Sequence, residues 1–428
     1  MANHIASDLI KEQRPGVTPV VWSFFTGAMG LDLGFESEGL APGLAVEVED
    51  IFCETIRRNR PGIQVLEADV GKITGADLRQ ATGTRGEIDL IIGGPPCQSF
   101  CPGGSRAALT DPRGNLIFEY LRLVSEIRPR YFVLENVANL VTAALKHRPI
   151  EDRPGKHWNL AAYSRPQAQL FDVAGALPLE ADELSGSAIR FLLDTTVADL
   201  GYSVSFGVLD SSEHGAAQKR QRFVMIGARD GSAPQLPAPT HGTDDLHPVL
   251  TVKDAIGDLS MNPGPGSLYT DDVRAVFDLV PPGGNWRDLP LDVAAAAMGE
   301  RSLKAGGGKT GFFRRLSWDQ PSPTITGKAN RKGSALCHPD HSRPLSVREC
   351  ARLQGFPDDW MFTGAMSRQY TQVGNAVPAA LGRALAVTMK GALASSSQPE
   401  ERVHDELLAQ AVAKVRSAAR NKRPSKSA

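Results

Sequence analysis

The sequence predicts a doubly wound, mostly parallel α/β sheet joined to a smaller, loop-rich domain. Three observations lead there. Short β-rich runs alternate with helical stretches through the first third of the chain. The composition shifts toward Pro, Gly and Asp after Arg229. The length, 428 residues, allows about two domains of ordinary size. Residues 20–25, 44–48, 63–66, 88–92 and 131–134 read as strands, with helical spacing or length at 31–37, 51–59 and 116–127. Residues 147–187 lose periodicity and read as an inserted loop within a first domain of 1–229. A helix at 188–200 and strands at 202–209 and 223–228 then resume the pattern. Residues 230–312 predict loops and short strands, in a small domain extending over 230–365. The segment 366–395 returns to the first domain, with a helix from 377 to 394. Residues 396–428 read as a polar, basic tail: 414–428 hold six basic and no acidic side chains and are expected to be solvated and disordered toward their end.

With 41% apolar and 22% charged residues, the composition excludes global disorder and fibrous repeats. The 47 basic and 48 acidic side chains sum to a formal charge of −1, so no net field draws a polyanion and any nucleic-acid surface must be local. Five cysteines, an odd number at irregular spacing, argue for reduced thiols rather than a disulfide framework. The first sixteen residues lack the apolar core of a secretory signal, and no stretch approaches the roughly 18 apolar residues of a membrane span. A cytoplasmic protein with no membrane partner is expected.

Several strand ends carry chemistry. The strand at 20–25 runs into Thr26-Gly-Ala-Met-Gly30, where Gly27 and Gly30 let backbone approach a nucleotide-like ligand at a helix N-terminus; a tight turn without ligand fits as well. The full Gly-x-Gly-x-x-Gly fingerprint is missing, which disfavours a nicotinamide cofactor. Glu47 and Asp69 end or follow the next strands, placed to accept hydrogen bonds from a ribose and an exocyclic amine, or to cap a helix. Ile91-Ile-Gly-Gly-Pro-Pro-Cys-Gln-Ser-Phe100 holds Cys97 on a rigid loop at a strand's carboxyl end, the place for a nucleophilic thiol; the bland alternative is a small buried apolar residue. A zinc site from Cys97, Cys101, Cys337, His338 and His341 is disfavoured by its spacing. Glu135 closes another strand near the same crevice, where a carboxyl of raised pKa could protonate or hold a ring nitrogen. Alternation in Gln218-Lys-Arg-Gln-Arg222 puts Arg220 and Arg222 on one side, as an anion clamp or a solvated strand start. Gly306-Gly-Gly-Lys-Thr310 is not a phosphate loop, because Leu303 stands where the first glycine is required.

Taken in order, Phe25-Thr-Gly-Ala-Met-Gly30, Gly94-Pro-Pro-Cys-Gln-Ser-Phe100, Glu135-Asn-Val137, Gln218-Lys-Arg-Gln-Arg222, Arg348-Glu-Cys-Ala-Arg-Leu-Gln-Gly-Phe-Pro357 and Gln372-Val-Gly-Asn-Ala-Val-Pro378 closely resemble the C5-cytosine DNA methyltransferase family. The resemblance implies a Rossmann-like methyltransferase fold and S-adenosylmethionine as methyl donor. Phe25, Thr26, Gly27, Gly30, Glu47, Asp69, Val70, Pro95 and Asn375 would hold the cofactor. It further implies a flipped-out cytosine, addition of the Cys97 thiolate to C6, Glu135 on N3 and the exocyclic amine, and Arg220 and Arg222 on the base and its loop. Attack of C5 on the methyl group and release of Cys97 complete the reaction. The expected partner is duplex DNA, read by the small domain. A monomer is expected, paired in function with a restriction endonuclease of the same specificity. A tRNA cytosine methyltransferase and an inactive DNA-binding relative are the alternatives. Two residues depart from the family's pattern: Met29 stands where glycine is frequent, and Cys101 where serine is.

Between Arg301 and Arg348 there are ten basic and two acidic residues, which leaves about nine net negative charges on the remainder. This predicts a basic cleft and an acidic back.

Overall fold

The computed structural model describes residues 18–96, 116–146, 180–243, 245–259, 261–304, 311–328, 334, 336–395 and 404–420. Its first half alternates as the sequence pattern requires: β1 (Val21–Phe24), α1 (Gly30–Ser37), β2 (Leu44–Glu47), α2 (Asp50–Asn59), β3 (Gln64–Glu67), α3 (Gly75–Thr82), β4 (Leu90–Gly93), α4 (Leu116–Ile127) and β5 (Tyr131–Val137). After α5 (Ser187–Asp194) come β6 (Ser203–Asp210), the short β7 (Gln218–Lys219) and β8 (Gln221–Ala228). The helix expected to reach residue 200 loosens into a π-helical turn at Thr195–Asp199.

Seven strands form one sheet in the order β3-β2-β1-β4-β5-β8-β6. Pairing is parallel from β3 through β5, and β8 runs antiparallel to both β5 and β6. Such a sheet must be covered on both faces. Alternation along β1 sends Trp22 and Phe24 into a core under α4 and α5, while Val21 joins Leu31 and Phe35 of α1 on the other side. The strand order reverses between β1 and β4, and the loops leaving their carboxyl ends flank the crevice where ligands of such sheets bind.

The small region differs from the loops and strands expected of it. It contains helices α6 (Val252–Ile256), α7 (Asp271–Asp278), α8 (Leu291–Met298) and α9 (Glu300–Lys304) before the two-residue strands β9 (Arg314–Arg315), β10 (Ser322–Pro323) and β11 (Leu336–Cys337). These helices are five to eight residues long, too short to show a periodicity. Helix α6 is marked instead by a local cap, the Thr251–Asp254 capping box. Phe277, Val280, Leu289, Met298 and Phe313 form their own cluster.

The chain returns through α10 (Val347–Leu353), α11 (Met366–Asn375) and α12 (Ala379–Ala394). Helix α12 lies directly on α1: a methyl group on Gly34 would sit 2.2 Å from Arg383 N, and one on Gly382 would sit 2.4 Å from Leu31 O. The expected solvated tail is in part a helix, α13 (His404–Arg420). Leu408 and Ala411 are buried in the core beside β6, and Lys414 Nζ meets Glu213 Oε2 at 2.6 Å. Its basic residues had hidden an amphipathic pattern; residues 421–428 lie outside the described chain. Among the described residues no helix is long and apolar enough to cross a membrane.

Candidate active site

The turn after β1 is wound tightly. Phe25, Gly27 and Met29 all have positive φ (55°, 57° and 68°). Left-handed backbone is natural for glycine and costs an L-residue about 1 kcal/mol or more. Met29 bears that cost because its side chain is wholly buried in the cluster shared by the returning helices α10 and α11, which explains how this chain departs from glycine there. Thr26 Oγ1 is bonded to Ser23 Oγ at 3.1 Å, and Gly27 N donates to Glu47 Oε2 at 2.8 Å. The other Glu47 oxygen accepts from Val48 N and Glu49 N at 2.9 and 3.0 Å. Burial pushes the Glu47 carboxyl up, against these three N–H donors. A carboxylate has about four lone-pair sites, so one remains for a ligand hydroxyl.

A methyl group added at Gly27 would meet nothing within 4 Å, so the turn faces open space. At Gly30 it would collide with Val377 O at 2.4 Å, which brings the segment after α11 against the turn. Asn375 ends α11 with its side chain exposed beside this contact. Asp69 Oδ1 caps the turn at Val70–Lys72 through Gly71 N at 3.0 Å, while Oδ2 lies 3.5 Å from the exposed Lys72. Val70 puts its side chain in the core and its carbonyl on Arg122 Nη2, so its part at a ligand is confined to the backbone.

Across the crevice, β4 ends at Gly93 and the chain passes through Gly94 and the buried Pro95. Asn136 Nδ2 donates to Pro95 O at 3.0 Å, fixing the base of the loop that carries Cys97; residues 97–115, with Cys97 and Cys101, lie outside the described chain. Glu135 is buried, and its Oε1 is 2.6 Å from Arg222 Nε. A methyl group on Gly94 would fall 2.9 Å from Glu135 Oε2, so a side chain there would have to displace this carboxylate. Burial raises the Glu135 pKa, against the opposing pull of Arg222 and Arg220. Such a group is suited to hold or share a proton with a ring nitrogen.

The two arginines do not act as a pair on one face. Arg220 falls in the break between β7 and β8, so alternation is interrupted there. Its Nη1 donates to Ile325 O at 2.9 Å and its Nη2 to Gly374 O at 3.0 Å and Asn375 O at 3.4 Å. Arg220 thus anchors the returning segment, and Arg222 alone meets Glu135. Gln218 makes a second tie: its Nε2 donates to Gln354 Oε1 at 2.9 Å, and Gln354 Nε2 donates to Val373 O at 2.7 Å. Three of the sequence motifs are therefore one hydrogen-bonded unit. Among the described residues no cluster of His, Cys, Asp and Glu could hold a metal ion.

Two residues escaped the sequence reading. Asn136 was legible only as the neighbour of Glu135. Asp32, in the first turn of α1, is fully buried with Oδ1 unpartnered. Its carboxyl is pushed up to about 7 by burial, against a hydrogen bond with Ser23.

A two-sided crevice at the switch point of a mostly parallel sheet, with a glycine turn and acidic acceptors on one side and a proline loop and buried carboxylate on the other, defines a ligand-binding doubly wound α/β class. The C-5 cytosine-specific DNA methylase family matches residues 20–149 and 193–391. The chain is 36% identical to the type II methyltransferase M.Sau96I of Staphylococcus aureus, over 85% of this chain and 74% of that one. It is 35% identical to M.Eco47II of Escherichia coli, over 89% and 82%. A solved structure of an E. coli prophage protein assigned as a DNA modification methyltransferase shares the fold at a TM-score of 0.57 and 22% identity, covering 88% of this chain and all of that one. The protein belongs to the C-5 cytosine-specific DNA methylase family and is a DNA cytosine-5 methyltransferase.

Proposed function

We propose that the methyl donor is S-adenosylmethionine and that Cys97 is the nucleophile of the reaction. The turn fits this donor: open space faces Gly27, Glu47 keeps a free acceptor site, and Asn375 is exposed beside Gly30. Glu47 would take the ribose hydroxyls and Asp69 the adenine amine, with Phe25, Thr26, Gly27, Gly30, Val70, Pro95 and Asn375 around them. When bound, S-adenosylmethionine supplies the electrophilic methyl group that C5 takes up.

The protein's own residues make C5 reactive. The target cytosine, unreachable within the stack, is flipped into the crevice. The Cys97 thiolate adds to C6 and breaks the C5–C6 double bond. The electron pair moves into the ring, and Glu135 relieves the developing charge by hydrogen bonding to N3 and the exocyclic amine. Arg222 holds Glu135 in place. Arg220 acts at one remove, by keeping the Gly374–Asn375 backbone against the turn. Loss of the C5 proton and expulsion of Cys97 then restore the aromatic ring. The biological reading is protection of a specific duplex sequence from a restriction endonuclease, by a cytoplasmic monomer.

One observation carries this reading: the Arg222–Glu135 pair lies directly against Gly94, on the loop leading to Cys97. Methylation of duplex DNA and of tRNA is measured side by side for the native protein and Cys97→Ala. Native protein should methylate the duplex and form a covalent complex with a 5-fluorocytosine duplex. Cys97→Ala should do neither while still binding S-adenosylmethionine. Turnover by the variant, or activity on tRNA alone, would overturn the proposal.

A further inference from the structure

Arg314 and Arg315 form strand β9, in parallel register with Leu336 and Cys337 of β11. Successive side chains leave a strand on opposite faces. Arg315 turns inward and is fully engaged: Nε donates to Val280 O at 2.7 Å, Nη1 to the carbonyls of His338 and Pro339 at 3.2 Å, and Nη2 to Ser342 Oγ at 2.7 Å and to Phe277 O. Arg314 has the opposite fate. Among the described residues no carboxylate or carbonyl meets its guanidinium, and its Nε is buried without a partner. Burial alone lowers its pKa, with no opposing charge. Arg314 is half-buried; a guanidinium whose Nε is buried without an acceptor is an unfavourable arrangement for the free protein, and removing it normally leaves stability unchanged or improved.

Its position suggests what completes it. From Arg314 the chain runs to β10, which pairs with β7, and on to Ile325, whose carbonyl is held by Arg220. One short segment therefore runs from Arg314 to the carbonyl held by Arg220, two residues before Arg222, within a stretch of ten basic and two acidic residues. The guanidinium is a planar fork of donors that matches paired acceptors better than a point charge does. Exposed lysines such as Lys328 suffice for phosphates; a recessed fork suits a base edge.

We propose that Arg314 is a specificity-determining residue that donates to O6 and N7 of a guanine in the target sequence, so that the substrate supplies the acceptor the free protein lacks. Arginine on these two atoms is the commonest base-specific contact. The inference rests on DNA being the substrate.

The target sequence is first fixed by bisulfite sequencing of DNA from a host expressing the native protein. Single-turnover methylation is then measured for native protein, Arg314→Met and Arg314→Lys, on the cognate duplex and on duplexes with each guanine singly replaced by 7-deazaguanine. Thermal melting is followed alongside. The native enzyme should lose about 10- to 100-fold at one guanine. Arg314→Met should show that loss already on the cognate duplex, lose nothing more at that guanine, and melt no lower than native. Arg314→Lys, which keeps the charge without the fork, should lose nearly as much. Native rates from Arg314→Met would overturn the proposal, as would a collapse of melting temperature in both variants. A uniform loss with every deazaguanine penalty intact and a salt slope smaller by about one would instead mark a phosphate contact, and would also overturn it. If the native protein methylated no duplex at all, the functional reading itself would fail, which is a separable result.

Discussion

Asp32 offers a sharp test of how the fold handles charge beneath the turn after β1. Its carboxyl is buried, shares a hydrogen bond with Ser23, leaves Oδ1 unpartnered and has a pKa of about 7, against 3.8 for an exposed aspartate. The folded state therefore holds a proton between about pH 4 and 7 that the unfolded chain has released. Folding stability must fall as pH rises through that window, and the loss is complete above pH 7. About three units at 1.36 kcal/mol each give a total of about 4 kcal/mol, of which about 2–3 kcal/mol falls between pH 5 and 8. Asp32→Asn has the shape of the protonated acid and cannot ionise. Its stability relative to native protein should improve by about 2–3 kcal/mol between pH 5 and 8, as read by urea denaturation at both pH values. Titrating groups that do not interact with Asp32 cancel in that difference; Glu36 and Glu47, whose charges act on Asp32, contribute a smaller residual. A variant whose relative stability did not change with pH, or worsened at pH 8, would show that Asp32 is ionised in the fold.

Gly34→Ala should cost at least about 1–3 kcal/mol and weaken S-adenosylmethionine binding, because the new methyl group would meet backbone of α12 and push Asn375 away from the turn; melting and cofactor titration check both. Gly27→Ala meets no atom and costs only the strain of its φ of 57°, about 1 kcal/mol, so a loss of cofactor affinity without a large loss of stability would mark the turn as the ligand's own surface. Truncation after Ser395 removes α13 and uncovers the core around Leu408 and Ala411, and should lower stability by about 2–4 kcal/mol while leaving methyl transfer measurable at low temperature. DNA affinity should fall with added salt, at about 0.9 in logarithmic slope per phosphate contacted; an affinity indifferent to salt would contradict a local basic surface.

The parallel half of the sheet was legible because its inner strands are buried on both faces and read as nearly continuous apolar runs, as in residues 90–93 and, with Ser23 the one polar residue, 21–24. The reversed direction of β8 was not, since strand polarity is set by where the chain re-enters the sheet and leaves no local mark. The short helices between 252 and 304 were missed for want of length, and α13 for a different reason. Leu407, Leu408, Ala411, Val412 and Val415 repeat at helical spacing, a signal that was present but outweighed by the count of basic residues around it. At the site, residue types and strand-end positions pointed to the neighbourhood of Glu135, Glu47 and Asn375. They could not tell Arg222, which meets a carboxylate, from Arg220, which meets three carbonyls, because that distinction depends on partners far away in sequence, Glu135 for one and Ile325, Gly374 and Asn375 for the other.

The same limit applies to the charge count. Ten bases against two acids between Arg301 and Arg348 suggested a uniformly basic face. Arg343, however, is held by Glu349 at 2.7 Å and Arg348 by Asp358 at 2.9 Å, both acids lying just beyond the counted stretch. Arg315 is enclosed by carbonyls. Of the bases whose side chains are described, Arg314 and Lys328 are left for a polyanion. The described cations available to a polyanion are therefore those that folding leaves without acceptors, and the local sum of charge does not count them. A near-neutral protein can present such a set, provided that its acids are engaged with the cations that build the fold. That sorting makes Arg314, which is idle in the free protein, a better candidate for reading sequence than any of its satisfied neighbours.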